Sequence, residues 1–467
     1  MSLNLGGLFK IFALIGGFMG ALFSASRRGA KSSVLVHFSE KPASLKICRP
    51  DGSVSTESLK SLVETRCASL FSKFNPVWWL FSGHLQTIYC VLGDFSKTDV
   101  LQYNRQLIRL EEGGTLGLDF APADHSKVRE DAPIIVVLHG LTGGSYESYV
   151  RSILVPATKP VEEGGLGYRA VVVNYRGCAG VPVTSSQFYS AGYTGDIRQA
   201  LIYISQLYPR APLLGIGFSL GANILTRYLA EEGEQSRLRS GCALACPWDL
   251  AKNNDGLRYS FTGRFYSKAM ATNLVNLVER NLDGLSKFPD ALIAKYIPTV
   301  LKMKGSGALL DDFDNTFTRI AGGSAPDFPF ETAYDYYRWG SSHNVVSKIR
   351  VPYLAINAAD DPVVQHVPMD GGGNGLVCMA LTASGGHLGW FSAGTGGKID
   401  RWIKAPVLEW MSLIGGAVVH PTSSAGRRIY LENGYYREEG RDGGCKEIEG
   451  GGLVEASSWQ GVNLQGL

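Results

Sequence analysis

Leu213-Leu214-Gly215-Ile216-Gly217-Phe218-Ser219-Leu220-Gly221-Ala222-Asn223 decides the fold. An apolar run passes into Gly-x-Ser-x-Gly, and a helix-forming sequence follows. This is the pattern of a buried strand that turns sharply into a helix and leaves a serine standing on the turn. The turn demands small neighbours, which Gly217 and Gly221 supply. It lifts the Ser219 hydroxyl clear of the sheet and aims the positive end of the next helix at the place where an oxyanion would form. Gly-x-Ser-x-Gly arises by chance in a chain with 57 glycines, so the flanking strand and helix carry the argument.

A nucleophilic serine needs a base, and the base needs an orienting acid. Tyr353-Leu354-Ala355-Ile356-Asn357 reads as a buried parallel strand that ends in Ala358-Ala359-Asp360-Asp361-Pro362. Leu376 to Leu381 reads as another strand, followed by Gly385-Gly386-His387-Leu388-Gly389-Trp390. Two glycines suit a loop that swings the imidazole over Ser219. His387 is the expected base. Asp361 is the preferred acid, because Pro362 stiffens the turn directly after it. Asp360 beside it, and Asp249 after the apolar run Cys242 to Cys246, are the rival carboxylates. Ala132 to Leu138 is continuously apolar, as a strand buried on both faces must be. It ends in His139-Gly140-Leu141-Thr142-Gly143-Gly144. The amides of Leu141 (or Thr142) and Leu220 are the expected oxyanion donors. His139 reads as a structural loop histidine.

Strands and helices alternate around these motifs. Val100 to Phe120 reads as two antiparallel strands around Glu111-Glu112-Gly113-Gly114, at the edge of the sheet. Ile134–Leu138 leads to a helix over 146–155, Arg169–Asn174 to a helix over 195–207, and Leu213–Gly217 to the helix after Ser219. That order predicts an α/β fold, a mainly parallel central sheet with helices on both faces. Between Trp248 and about Ser347 the rhythm breaks, and Phe265, Tyr266, Met270, Leu274, Val275, Leu277 and Leu292 recur at helical spacing. A helical lid over the serine is expected here, since loops at the carboxyl ends of parallel strands flank the ligand site. A helix pair packed outside the sheet is the other reading. A last helix over about 398–413 should be kinked or split at Pro406.

The 467 residues are 45% hydrophobic with a net charge of +3, enough for one large core. No long basic run or zinc-ligand spacing points to nucleic acid or a metal, and no cofactor is expected. The eight cysteines include no Cys-x-x-Cys pair and read as thiols of a reducing compartment, several buried in strands. Ile11 to Ala25 is uncharged and mostly apolar, between Lys10 and Arg27, Arg28 and Lys31. Its cationic flank and the lack of a small-x-small cleavage site argue against a secretory signal. The expectation is an anchor over residues 1–31 at the endoplasmic reticulum or a lipid-droplet surface, with the following domain in the cytosol. Residues 32–73 read as a linker with one helix, 74–420 as the catalytic domain with its lid at about 248–347, and 421–467 as a flexible tail.

Further motifs are Pro76-Val77-Trp78-Trp79-Leu80-Phe81-Ser82-Gly83-His84-Leu85-Gln86-Thr87, the run from His139 to Arg151, and Asn174-Tyr175-Arg176-Gly177-Cys178-Ala179-Gly180. With the serine turn and the His387 loop, they resemble the α/β-hydrolase branch that contains the fungal medium-chain fatty acid ethyl ester synthase/esterases. Related bacterial hydrolases and animal membrane-anchored lipid hydrolases belong to the same branch. The resemblance spans roughly Phe74 to His420. It implies an α/β-hydrolase fold and a triad of Ser219, Asp361 and His387. It also implies action on medium-chain acyl esters or acyl-CoA, with the acyl group passed to water or a small alcohol. A monoacylglycerol or phospholipid lipase is the alternative within this chemistry. A non-catalytic scaffold that binds lipid or protein is the alternative outside it, and such proteins usually lack a triad member. The glycine-rich loop Gly371 to Gly375 and the tail after His420 depart from the branch.

Overall fold

In the computed structural model the described residues are 33–455, except 50, 127 and 421–425. The expected anchor lies outside them. Among the described residues no helix is long and apolar enough to cross a membrane.

The strands, in chain order, are β1 (Leu35–Phe38), β2 (Ser44–Cys48), β3 (Val54–Ser58), β4 (Gln102–Leu110), β5 (Thr115–Ala121), β6 (Ile134–Leu138), β7 (Arg169–Asn174) and β8 (Leu213–Phe218). There follow β9 (Leu238–Leu244), β10 (Tyr353–Ala358), β11 (Val377–Thr382), β12 (Phe391–Ala393), β13 (Ile399–Arg401), β14 (Ile429–Glu432), β15 (Tyr435–Glu438) and β16 (Gly444–Glu455). The main sheet runs β1-β11-β10-β9-β8-β6-β7-β5-β4-β16-β15-β14. Its centre, β11 to β7, is parallel, and antiparallel strands continue it on both sides. β6, β7, β8 and β10 are buried along their whole length, which explains their unbroken aliphatic runs.

Helices of eight residues or more are α1 (Leu59–Arg66), α2 (Gly83–Leu92), α3 (Ser148–Thr158), α4 (Gly195–Leu207), α5 (Leu220–Glu232), α6 (Leu250–Tyr259), α7 (Phe261–Arg280), α8 (Ala333–Gly340) and α9 (Lys404–Ser412). Alternate residues of β6 divide between two cores. Ile134, Val136 and Leu138 pack with α4 and α5, while Ile135 and Val137 pack with α3 and α9. In β6 alternate side chains thus meet the two helix layers in turn.

Four expectations are corrected. Residues 32–73 are more than a linker with a helix: β1 pairs antiparallel with β11 at one sheet edge, and β2 and β3 form a hairpin. The tail after Pro421 is not uniformly flexible, because β14, β15 and β16 extend the opposite edge, with β16 laid antiparallel along β4. The β4–β5 pair is therefore interior to the sheet rather than its edge. The polar, glycine-rich composition of β16 fits a strand with one wet face, and its register shifts between Ile448 and Gly452, across the glycine run. Pro406 lies in the first turn of α9, where no intrahelical donor is lost, so it neither kinks nor splits the helix.

Side chains fix the last strands to the body. Tyr203 on α4 donates to Glu447 at 2.6 Å. Arg237 and Glu438, both almost fully buried, meet at 2.6 Å. Removing one partner strands the other charge out of water, at a cost of about 3–5 kcal/mol. Glu438→Ala is expected to lower the unfolding free energy by about that amount in urea titration. An unchanged midpoint would show that this ion pair adds nothing to the stability of the domain.

The insertion between β9 and β10 is helical, and the buried carboxyl of Asp314 lies within it. Asp314 opens a π turn over Asp314–Thr318 and accepts hydrogen bonds from the Thr318 and Tyr337 hydroxyls. Burial raises its pKa to about 6. The folded protein thus keeps this proton up to about pH 6, whereas the unfolded chain releases it near 3.8. The stability that the neutral form contributes is fully present below pH 3.8 and is lost as pH rises to about 6. The change is at most roughly 3 kcal/mol. Asp314→Asn keeps the shape without the charge. Its stability should fall less steeply across this window than that of the unsubstituted protein in parallel denaturation series, and superimposable slopes would contradict the assignment.

Candidate active site

Ser219 sits between β8 and α5 at φ +51° and ψ −118°. This is a backbone conformation that a residue with a Cβ adopts only under constraint. The constraint is local crowding. A Cβ on Gly217 would lie 2.5 Å from the Ala222 Cα, and one on Gly221 would lie 2.3 Å from the Leu138 carbonyl oxygen. The Ser219 amide donates to the Leu244 carbonyl at 2.9 Å, tying the turn to β9.

His387 reaches this turn from the loop after β11. Its Nε2 is 2.8 Å from Ser219 Oγ, and its Nδ1 is 2.8 Å from Asp361 Oδ2. Asp361 follows β10, and its other oxygen accepts the amides of Val363 at 2.8 Å and Val364 at 3.0 Å. His387 and Asp361 are both almost fully buried. A carboxylate held this way accepts Nδ1–H and leaves the Nε2 lone pair facing the serine hydroxyl. The arrangement can remove the Ser219 proton and stabilise the imidazolium that results.

The rival carboxylates have other partners. Asp360 accepts the Gly386 amide at 2.9 Å, and burial pushes its pKa up to about 6. It holds the backbone of the histidine loop rather than the ring. Asp249 caps α6 by accepting the Lys252 amide at 3.0 Å, with the Lys252 ammonium 3.2 Å away. His139 is buried, donates from Nδ1 to the Gly140 carbonyl and accepts the Tyr175 amide on Nε2. Burial lowers its pKa to about 4, so it is a neutral strut for the Gly140–Gly143 loop.

Leu141 and Leu220 both line the cavity that contains Ser219. Leu220 is the first residue of α5, so its amide belongs to the first turn, whose donors have no intrahelical acceptor. The Leu141 carbonyl is taken by the Tyr189 hydroxyl. The cavity holds about 100 Å³. Leu257, Met270, Leu274 and Leu310 make its walls apolar, and Asn253, Asn254, Asp314 and Thr318 add a polar side.

The helix that supports the histidine was not apparent as such. Thr87 Oγ1 accepts the His387 amide at 2.8 Å and donates to the Gly83 carbonyl at 2.7 Å. Gln86 spans to the far side of the loop, accepting the Phe391 amide and donating to the carbonyls of Leu80 and Phe391. Gly83 packs so closely that a Cβ would lie 1.8 Å from the Asp360 carbonyl oxygen. Helix α2 therefore braces both the acid loop and the histidine loop. The signal was present in Ser82-Gly83-His84-Leu85-Gln86-Thr87, but nothing in its spacing says which distant loop it touches.

The alpha/beta hydrolase fold family model matches residues 133–369 of this chain. A monoacylglycerol lipase of Saccharomyces cerevisiae is 31% identical over 399 residues, covering 76% of this chain and 84% of that protein. Medium-chain fatty acid ethyl ester synthase/esterase 2 of the same yeast is 29% identical, over 74% of this chain and 86% of its own length. The human phospholipase ABHD3 is 29% identical, over 72% of this chain and 77% of its own length. With the sheet order, the strained serine turn and the matched span in agreement, this chain belongs to the α/β-hydrolase fold family.

Proposed function

We propose that this protein is a serine ester hydrolase and acyltransferase that acts on medium-chain acyl esters. The observation that carries the reading is the unbroken relay from Ser219 Oγ through His387 to Asp361, both links at 2.8 Å. His387 Nε2 takes the Ser219 proton as Oγ attacks the ester or thioester carbonyl. Asp361 holds the imidazole and stabilises its charged form. The amides of Leu220 and Leu141 receive the oxyanion. Collapse expels the alcohol or thiol, which leaves with the proton from His387. Water or a small alcohol then attacks the acyl-enzyme by the same route in reverse, and Ser219 is regenerated.

Two observations support a medium-length acyl group. The walls are apolar, and each buried methylene contributes about 0.8 kcal/mol. The ester synthase/esterase relative is named for medium-chain acyl groups. A second reading is a monoacylglycerol or phospholipid lipase, favoured by the polar side at Asn253, Asn254 and Asp314 and by the names of the other two relatives. The apolar run Ile11–Ala25 with its cationic flank supports a site at the surface of the endoplasmic reticulum or a lipid droplet, with the catalytic domain on the cytosolic side.

A fluorophosphonate probe should label the protein at Ser219, and Ser219→Ala should abolish labelling and lower kcat by on the order of 10⁴-fold or more. With octanoyl-CoA and ethanol, the products should be octanoate and ethyl octanoate, the latter rising with ethanol. Octanoate alone at every ethanol concentration would leave hydrolysis and remove acyl transfer to alcohol. Thr87→Val leaves the buried His387 amide without its acceptor, a loss of about 1–3 kcal/mol. It should reduce kcat roughly 5- to 100-fold with KM little changed. A matching rise in KM instead would place Thr87 in substrate binding rather than in support of the base.

A further inference from the structure

Helix α7 presents two different faces. On the inside, Met270 and Leu274 line the cavity with Ser219, and the Tyr266 hydroxyl bonds His84 Nδ1 at 2.8 Å. On the outside, Phe261 and Phe265 are 84% and 63% exposed, with exposed Arg264 and Lys268 on the same stripe. Positions 261, 264, 265 and 268 share one side of a helix. The helix carries no acidic residue before Glu279. Across the His84–Tyr266 contact, the segment entering α2 exposes Trp78 at 86%, with Trp79 and Phe81 partly exposed. Six residues separate Trp78 from His84, so the two aromatic groups lie within about 20 Å of the joining bond. Large exposed aromatics interleaved with cations are unfavourable in water and characteristic of surfaces that meet a lipid interface.

The start of the described chain points to the same end of the molecule. β1 is antiparallel to β11, and Leu35 at its start pairs with Leu381 near the carboxyl end of β11. The carboxyl ends of the parallel strands also carry Ser219, Asp361 and His387. The chain before β1 therefore leaves from the catalytic end of the sheet. That chain contains the apolar run Ile11–Ala25, followed by Arg27, Arg28 and Lys31. Ten residues from Ala25 to Leu35 reach at most about 36 Å. Any surface that receives the apolar run is thus held within that reach of the catalytic end of the sheet.

We propose that this face, made of the outer side of α7 and the segment Trp78–Phe81, docks on an anionic phospholipid bilayer and turns the catalytic end of the sheet toward the lipid. The aromatic rings enter the headgroup region, and Arg264 and Lys268 meet the anionic headgroups from the same stripe. Acyl esters then reach the cavity from the membrane, past the inner face of the same helix. This rests on the ester hydrolase reading and adds where its substrate comes from.

The test uses the full chain, vesicles of phosphatidylcholine with a minor fraction of phosphatidylserine, and two variants, Phe261→Ser/Phe265→Ser and Arg264→Glu/Lys268→Glu. Hydrolysis of a water-soluble p-nitrophenyl ester is compared with hydrolysis of a monoacylglycerol embedded in the vesicles, and vesicle flotation is measured beside them. Both variants should keep the soluble rate and lose the vesicle rate roughly tenfold or more. The loss in the charge variant should disappear when phosphatidylserine is left out. Unchanged vesicle rates, equal falls in both rates, or a dimer in solution that the phenylalanine variant dissociates would each overturn the proposal. An unsubstituted protein that hydrolyses neither ester contradicts the hydrolase reading instead, and flotation of the variants then decides the docking face alone.

Discussion

The imidazole of His387, held between Asp361 and Ser219, is the contact on which the site depends. It joins three segments that are separated by 26 and 168 residues in sequence. Bringing them together costs chain entropy that no hydrogen bond of the relay repays by itself. The central parallel sheet does most of this work. It sets the carboxyl ends of β8, β10 and β11 at one end of the sheet, with β9 between β8 and β10, so each catalytic loop starts from a rigid strand end. Burial then makes the relay exacting, because a buried imidazole or carboxylate that loses its partner has no water to turn to.

Helix α2 explains how a loop with two glycines stays in place. Gly385 and Gly386 both have positive φ, so the loop can take its path but would not hold it unaided. Thr87, Gln86 and Asp360 supply the missing constraints through the backbone of the loop, not through the ring. The imidazole is left free to exchange its proton with Ser219 while its anchorage stays rigid. The helical insertion completes the arrangement by closing an apolar cavity over the serine, where low polarity strengthens every charge interaction made during acyl transfer.

Much of this was legible in the sequence because the relevant signals are local. Strand β8, the two glycines and Ser219 lie within nine residues and dictate one conformation. The aliphatic runs at Ile134–Leu138 and Tyr353–Ala358 announce burial on both faces. Asp361 was separable from Asp360 through Pro362, and the structure pairs Asp361 with the ring and Asp360 with the Gly386 amide. The rest depended on contacts across the chain. The β16 segment reads as disordered because its exposed face and the Gly450–Gly452 run dominate the composition, yet its pairing with β4 and the burial of Cys445 make it a strand. β1 is four residues long and gains its identity only from β11. The bracing role of Thr87 rests on a hydroxyl meeting an amide 300 residues away.

A crystal structure of the protein inhibited by an alkyl phosphonate would test the central claim most directly. Phosphorus should be bonded to Ser219 Oγ, with His387 still within hydrogen-bond reach of that oxygen and the phosphonyl oxygen about 2.7–3.1 Å from the amides of Leu141 and Leu220. An adduct on any other residue, or an imidazole swung out of reach of the Ser219 oxygen, would contradict it.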